Sequence, residues 1–449
     1  MNKRLHIAIN AQFIPNGDVG GVETAVTELV AALGRLSQYD GGQEQYVIIG
    51  PHHESGWLNP FTNGNQSVVS GANPSTKKKS QFQLLKRALR PLRPLIHEVH
   101  AVTSQLTSRR KSSQLLLGEQ RLEVPTDGGF FEKLACDVLH FPYQHFVRCA
   151  MPTIYNPHDL QHLHYPQFFT EDEIKWRECI YRAGCQHSDT VVVASHWIKQ
   201  DIVRRYQLNP NKVQIIPWAA PTHGSPVLSQ TTLDPVAAKY GLSSPFALYP
   251  AVTWEHKNHI RLLEAVAHLR DKDGLEVRLV CTGHRTHHYQ KIKNQLRSLD
   301  LNNQVEFLGS IPSIELRALY HLAQFVIIPT LFEAASAPLF EAWRDSAPVA
   351  CAAVTSLPEQ AADAALLFDP SSVEAIADAL RQMRTFPGLR QDLVGRGAKR
   401  LQDFNWIRTA KAYRAVYRRA ADQKLSDEEK QLLSWDWMRE ANRKIEGAR

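Results

Sequence analysis

The sequence predicts an α/β fold of two doubly wound domains, each a parallel sheet with helices on both faces. Three observations predict it. Short apolar runs of strand length alternate with helical segments along most of the chain, the pattern of parallel sheets built from crossover units. At 449 residues the chain is long enough for two domains. A Pro- and Ser-rich stretch, Pro217 to Pro245, divides the alternation in two and reads as a linker.

The first run opens with a strand at Leu5–Asn10, a loop containing Gly20-Gly21, and a helix from Val22 to Leu36. A strand at Tyr46–Gly50 follows. The region from about 51 to 130 is polar, basic and rich in Ser, Asn and Gly, and interrupts the sheet. The pattern resumes with strands at Val138–Phe141 and Thr153–Asn156, a helix over Glu171–Gln186, a strand at Thr190–Ala194, a helix from His196, and a strand at Lys212–Ile216. Ser195 reads as the N-cap of the helix it precedes. The second run has strands at Phe246–Val252, Glu276–Thr282, Val305–Leu308, Phe325–Pro329, Val349–Ala352 and Ala365–Phe368. Its helices begin near His259, His288, Ser313, Pro338 and Val373. Phe404 to Gln423 is helical, and Lys424–Arg449 is a charged tail. The expected division is 1–225, 226–405 and 406–449.

Composition narrows the class. The chain is 43% hydrophobic and 22% charged, ordinary for a globular protein. No apolar stretch has the length of a membrane span or a signal peptide, so a cytoplasmic protein is expected. The six cysteines form no CxxC pair, which suits a reducing compartment and indicates neither a disulfide framework nor a zinc site. The net charge of +7 is local. Lys77 to Lys111 holds ten Lys or Arg against one acid, Glu98, a net +9, leaving −2 for the rest.

Glu333 and Glu341 carry the most information. They lie in PTLFEAASAPLFEAW with seven residues between them, after the apolar run Phe325–Ile328. Pro338 suits the first turn of a helix. Glu333 is therefore placed in a strand-to-helix loop and Glu341 about one turn into the helix. A sugar nucleotide fits between the carboxylates, one on the sugar and one on the ribose, with the N–H groups of the helix start toward its phosphates. Lys257 lies just after the first strand of the second run, where open α/β sheets bind ligands, and a cation there offsets a diphosphate.

These residues resemble the E-x7-E motif of retaining, nucleotide-sugar-dependent glycosyltransferases of the family-four, group 1 type, which have the GT-B fold of two Rossmann-like domains facing across a cleft. Pro348 to Leu380 resembles that family's next strand, loop and helix, and Phe404 to Gln423 its last helix, which crosses back to the first domain. The resemblance implies donor binding by Gly20, Gly21, Lys257, Glu333, Ser336, Ala337, Pro338, Leu339 and Glu341. It implies that His158, in TIYNPHDL, reaches the sugar from the first domain, that Glu333, His158 and Lys257 are the catalytic group, and that Glu359 stays near the donor. The family's Arg a few positions before Lys257 is absent, and Arg285 is the candidate to replace it. Two departures stand out. Glu333-Ala334-Ala335-Ser336-Ala337-Pro338 lacks the family's glycines, and Trp218-Ala219 replaces its usual Asn-Gly.

Other motifs read more simply. His284, His287 and His288 have no acidic or Cys partners nearby and read as a polar loop, and Asp271-Lys272-Asp273 reads as turn chemistry, so no metal or other cofactor is expected. Phe82, Leu85, Leu89, Leu92, Ile96 and Val99 form one helical face in Lys77–His100, with Pro91 and Pro94 as breaks. Lys86, Arg87, Arg90 and Arg93 make this a candidate surface for an anionic membrane or acceptor on the inner face of the plasma membrane; a packed amphipathic helix is the alternative. No aromatic stacking pattern supports nucleic-acid binding.

The expected activity is transfer of a hexose-type sugar, mannose being one candidate, from a nucleoside diphosphate to a glycan or lipid-linked acceptor in polysaccharide or glycoconjugate biosynthesis. The alternatives are a non-catalytic scaffold that binds a nucleotide or membrane surface, or another GT-B enzyme such as a sugar-nucleotide epimerase.

Overall fold

The computed structural model describes residues 4–14, 21–39, 44–71, 123–222 and 228–438. Two parallel sheets organise them. In the first domain the order of elements is β1 (Leu5–Asn10), α1 (Gly21–Tyr39), β2 (Glu44–Gly50), β3 (Gln66–Ser70), β4 (Val138–Phe141), β5 (Thr153–Tyr155), α2 (Gln161–His164), α3 (Glu171–His187), β6 (Thr190–Val193), α4 (His196–Tyr206) and β7 (Val213–Ile215). The sheet runs β3-β2-β1-β4-β5-β6-β7.

The second domain contains α5 (Gln230–Lys239), β8 (Ala247–Pro250), α6 (His259–Asp273), β9 (Leu279–Thr282), α7 (Tyr289–Ser298), β10 (Val305–Gly309), α8 (Ser313–Leu322), β11 (Phe325–Ile328), α9 (Ala337–Arg344), β12 (Val349–Ala352), α10 (Leu357–Ala361), β13 (Leu366–Phe368), α11 (Val373–Thr385) and α12 (Pro387–Leu401). Its sheet runs β10-β9-β8-β11-β12-β13. Strand order reverses between β1 and β4 in one sheet and between β8 and β11 in the other. Such switch points open a crevice at the carboxyl ends of the strands. Strands β8, β11 and β12 are buried along their whole length, which is why they read as continuous apolar runs rather than alternating ones.

The last helices close the two domains together. In α13 (Trp406–Ala420), Tyr413 accepts a 2.6 Å hydrogen bond from Asn156 Nδ2 and the Tyr417 hydroxyl meets His140 Nδ1 at 2.8 Å. Arg418 Nε donates to Glu44 at 2.7 Å. A short α14 (Asp427–Leu433) follows, started by a capping box of Ser426 and Glu429.

Three expectations change. The region after residue 50 does not only interrupt the sheet: QSVVS at 66–70 extends it as β3, paired in register with β2 from Tyr46↔Gln66 to Gly50↔Ser70. Its half-buried, polar sequence hides it. The stretch Pro217–Pro245 is not all linker, because α5 buries Leu233 and Val236, three positions apart, and Lys239 pairs with Glu315 of α8 at 2.8 Å. The expected boundary at 225/226 lies outside the described residues. Helix α12 has no counterpart in the sequence reading, since Gly388, Gly395 and Gly397 weaken its helical signal. At Gly397 the glycine has a packing reason: a Cβ would stand 2.4 Å from Trp343 Cδ1.

Candidate active site

The loops leaving β8 and β11 meet at the switch point of the second sheet. Lys257 ends a short 3-10 turn (Glu255–Lys257) whose carbonyl is held by the Tyr249 hydroxyl at 2.6 Å. Asn258 next to it is left-handed, φ 62°, and its side-chain amide donates to Pro329 O and Pro370 O at 2.9 and 2.8 Å. That anchoring aims the Lys257 ammonium at Glu333, with Nζ 2.7 Å from Oε2. Burial raises the Glu333 carboxyl above its ordinary range, and the Lys257 charge pulls it back down.

Helix α9 begins at Ala337 with Pro338 in its first turn. Ser336 is buried, and its N–H donates to Gln360 Oε1 at 3.1 Å. One turn on, the Glu341 carboxylate accepts from the Tyr320 hydroxyl of α8 at 2.7 Å. Burial raises Glu341 as well, with the Tyr320 bond lowering it. The absence of glycine between Glu333 and Glu341 has a backbone explanation, since no residue between them has a positive φ.

His158 faces Glu333 from the first domain. It follows β5 in a left-handed conformation, φ 64°, and its Nε2–H donates to Pro142 O at 2.9 Å. That bond leaves Nδ1 as an acceptor. Burial lowers its pKa to about 4, so the ring is neutral near pH 7. Trp218 stands edge-on to it, ring centroids 5.5 Å apart. Between the domains lies a cleft of about 120 Å³. Gly21, Gln144, His158, Asp159 and Trp218 line one side, and His256, Glu333, Ala334 and Ala335 the other. Gly21 is the first residue of α1, and a Cβ there would stand 3.4 Å from the Trp218 ring. Gly20 lies outside the described residues, as do Lys86, Arg87, Arg90, Arg93 and the Lys77–His100 segment.

The structure thus brings Glu333, His158 and Gly21 to one cleft, with Lys257 held against Glu333. Arg285 stands apart from the Lys257–Glu333 pair: its Nη2 donates to Phe307 O at 2.6 Å and its guanidinium covers the Tyr289 ring at 4.8 Å. Glu359 has turned to the other domain. Its carboxylate accepts from the backbone N–H groups of His196 and Trp197 at 2.9 and 2.6 Å, capping α4 across the seam. Beside it, the Ser195 and Ser356 hydroxyls meet at 2.7 Å. Ser195 also caps α4 as read from the sequence, accepting from Ile198 N. Phe332, next to Glu333, packs between His164 and Trp197 of the first domain, with centroids 5.4 and 5.7 Å away. Asp273 ends α6 and pairs with Arg381. His288 Nδ1 lies 3.7 Å from Glu255. Among the described residues no group of three or more His, Cys, Asp or Glu is arranged to hold a metal ion, and no helix is long and apolar enough to cross a membrane.

Sequence reading did not select Gln144, His256, Tyr320 or Thr355. His256 had a signal in its position beside Lys257. Tyr320 had none, because only the packing of α8 on α9 brings it to Glu341.

Comparison with known proteins agrees with this fold. Residues 238–400 match the family model described as Glycosyl transferases group 1, and residues 92–222 the model described as Glycosyltransferase Family 4. The chain is similar to O-antigen chain mannosyltransferase B of Escherichia coli, 25% identical over 282 residues, 62% of this chain and 73% of that one. It is 24% identical over 386 residues to D-inositol 3-phosphate glycosyltransferase of Corynebacterium diphtheriae, 80% of this chain and 90% of the relative. The solved structure of Anabaena Alr3699/HepE in complex with UDP and glucose shares the fold, with a TM-score of 0.61 at 13% identity, covering 92% of this chain and 99% of that one.

Proposed function

Because the chain belongs to the GT-B glycosyltransferases, in the group 1 and family 4 type, we propose that it moves a hexose-type sugar from a nucleoside diphosphate to a glycan or lipid-linked acceptor with retention at the anomeric carbon. One observation carries the reading: Glu333, paired with Lys257 at the second sheet's switch point, faces His158 across the cleft. Lys257 and the start of α9 at Ala337–Leu339 stabilise the departing diphosphate, as fixed charges and dipoles do for developing charge. Glu341 holds the ribose, as the carboxylate one turn into α9. Glu333 orients the sugar hydroxyls, and neutral His158 accepts a sugar hydroxyl through Nδ1. The acceptor attacks from the face the diphosphate leaves, so the leaving phosphate takes the acceptor's proton. Arg285 adds a cation on the nucleotide side after turning from Phe307. The reaction needs no metal in this scheme, since Lys257 and the helix supply the positive charge.

The relative from Escherichia coli is named a mannosyltransferase, which puts GDP-mannose first among donors to try. The solved neighbour binds UDP and glucose, which puts UDP-glucose second. The test is calorimetric binding of UDP, GDP, ADP and dTDP, with EDTA present, to the wild type and to Glu341→Ala. One nucleotide binds at micromolar concentration and the variant loses at least about tenfold in affinity. Binding of none, even with Mg²⁺ restored, overturns the donor site. Contact of Lys77–His100 with an anionic membrane is proposed on its sequence alone. Sedimentation with vesicles containing phosphatidylglycerol, against neutral vesicles, tests it.

A further inference from the structure

The loop that carries Glu333 has no left-handed residue, but the loop facing it does. Thr355, in the turn after β12, has φ 49°. A β-branched residue in that region is an outlier that persists only where its surroundings hold it. What holds Thr355 is Glu333. The Thr355 hydroxyl accepts from Glu333 N–H at 3.0 Å and donates to Glu333 O at 2.6 Å. A single side-chain oxygen therefore satisfies both backbone groups of the residue that faces the cleft. The adjacent Ser356 N–H also points to Glu333 O, at 3.4 Å. The same turn is tied to the first domain through Ser356–Ser195 and the Glu359 cap on α4. On the other flank, Thr330 Oγ1 donates to Phe332 O at 2.9 Å.

We infer that Thr355 is a positioning residue for Glu333: its hydroxyl, held in a strained backbone, locks the Glu333 peptide so that the carboxylate stands against Lys257 at the cleft. The inference rests on the reading of Glu333 as the group that orients the donor sugar. In a loop without glycine, the hydroxyl clamp supplies the definition that backbone choice alone does not. It also links the Glu333 peptide to the domain seam, because the turn that holds it caps a helix of the other domain.

The test uses the full chain and three variants, Thr355→Val, Thr355→Ser and Thr355→Gly. The reaction followed is release of nucleoside diphosphate from GDP-mannose, UDP-glucose, ADP-glucose and dTDP-glucose with water as acceptor. That reaction breaks the bond from the anomeric carbon to the phosphate oxygen and needs no known glycan. Thr355→Val keeps nucleotide affinity within about twofold and loses about tenfold to a hundredfold in kcat, the effect of a misplaced reacting group. Thr355→Ser, which keeps the hydroxyl, retains kcat. Thr355→Gly relieves the backbone, so its Tm falls less than that of Thr355→Val, yet it loses kcat as Val does. This split separates positioning from folding. Wild-type kcat in the Val and Gly variants, or a kcat loss that tracks lost Tm and nucleotide affinity, overturns the inference while leaving the function standing. A wild type that releases nucleotide from none of the donors overturns the functional reading, and the inference falls with it.

Discussion

At the scale of the residue, the Lys257–Glu333 contact sets opposing demands on one carboxylate. Burial pushes Glu333 toward its protonated form, and the ammonium 2.7 Å away favours the charged one. Removing the ammonium leaves only the upward push. Lys257→Ala is therefore expected to move the acid limb of the pH–rate profile to higher pH, besides losing about a hundredfold in kcat/KM from the missing cation. Lys257→Arg keeps the charge and restores the position of that limb. A profile of log kcat/KM between pH 4 and 9 for both variants decides it, and an unmoved limb in the alanine variant would remove Glu333 from the rate law. Glu333 and Lys257 were both legible in the sequence, each from its place in a strand-to-helix loop. Their contact was not, because 76 residues separate them and only the pairing of β8 with β11 sets their loops side by side.

At the scale of the element, the seam depends on α4. Its first two N–H groups have no partner within the helix, and the second domain supplies one in Glu359. Losing such a cap costs about 0.5–2 kcal/mol. Glu359→Ala should lower Tm by a few degrees and widen the particle seen by small-angle scattering, since the cap is also a tie between domains. Glu359→Gln, which still accepts hydrogen bonds, should do less of both. An unchanged radius of gyration in the alanine variant would reduce the tie to a local cap. A second expectation concerns α12. Gly397→Ala places a methyl group against Trp343, and overpacking of this kind costs about 1–3 kcal/mol, readable as a lower denaturant midpoint with unchanged slope. From the sequence, the family resemblance puts Glu359 on the donor side. Its true partner is a helix more than 150 residues away, beyond the reach of any local pattern.

At the scale of the whole molecule, buried neutral histidines set the pH response. Burial lowers His140 and His259 to about 3 and His158 to about 4, from an ordinary value of 6.5. The unfolded chain binds protons on these rings below pH 6.5 and the folded chain does not until lower pH, so their contribution is complete above pH 6.5 and is lost as pH falls toward about 3. Glu333 and Glu341, raised by burial, act in the opposite sense, favouring the fold at low pH and costing stability as pH rises. The histidine shifts are large, so Tm should fall from pH 7 to pH 5. In His259→Phe the fall should be shallower. His259 packs against Tyr249 and Phe307, and among the described residues neither of its buried ring nitrogens has a hydrogen-bond partner, so a phenyl ring is the replacement to test. A steeper fall in that variant would contradict the assignment. His140 belongs to the contact that joins the first sheet to α13 through Tyr417, so this pH response also reaches the junction between that sheet and the last long helix.

Local pattern alone was enough for the two doubly wound sheets apart from β3, the helix start at Ala337–Pro338, the cap at Ser195 and the positions of Glu333, Glu341 and Lys257. Each is dictated within a few residues, by apolar periodicity, by proline's missing N–H, or by the end of a buried strand. Tertiary structure alone decided which of these groups meet. It placed Lys257 on Glu333, Tyr320 on Glu341, Glu359 on α4 and the Thr355 hydroxyl on the Glu333 peptide. Hydrogen bonds and ion pairs act over about 3 Å, whereas these partners lie 21 to 163 residues apart in the chain, and only the register of the strands and the packing of the two domains brings them within that range.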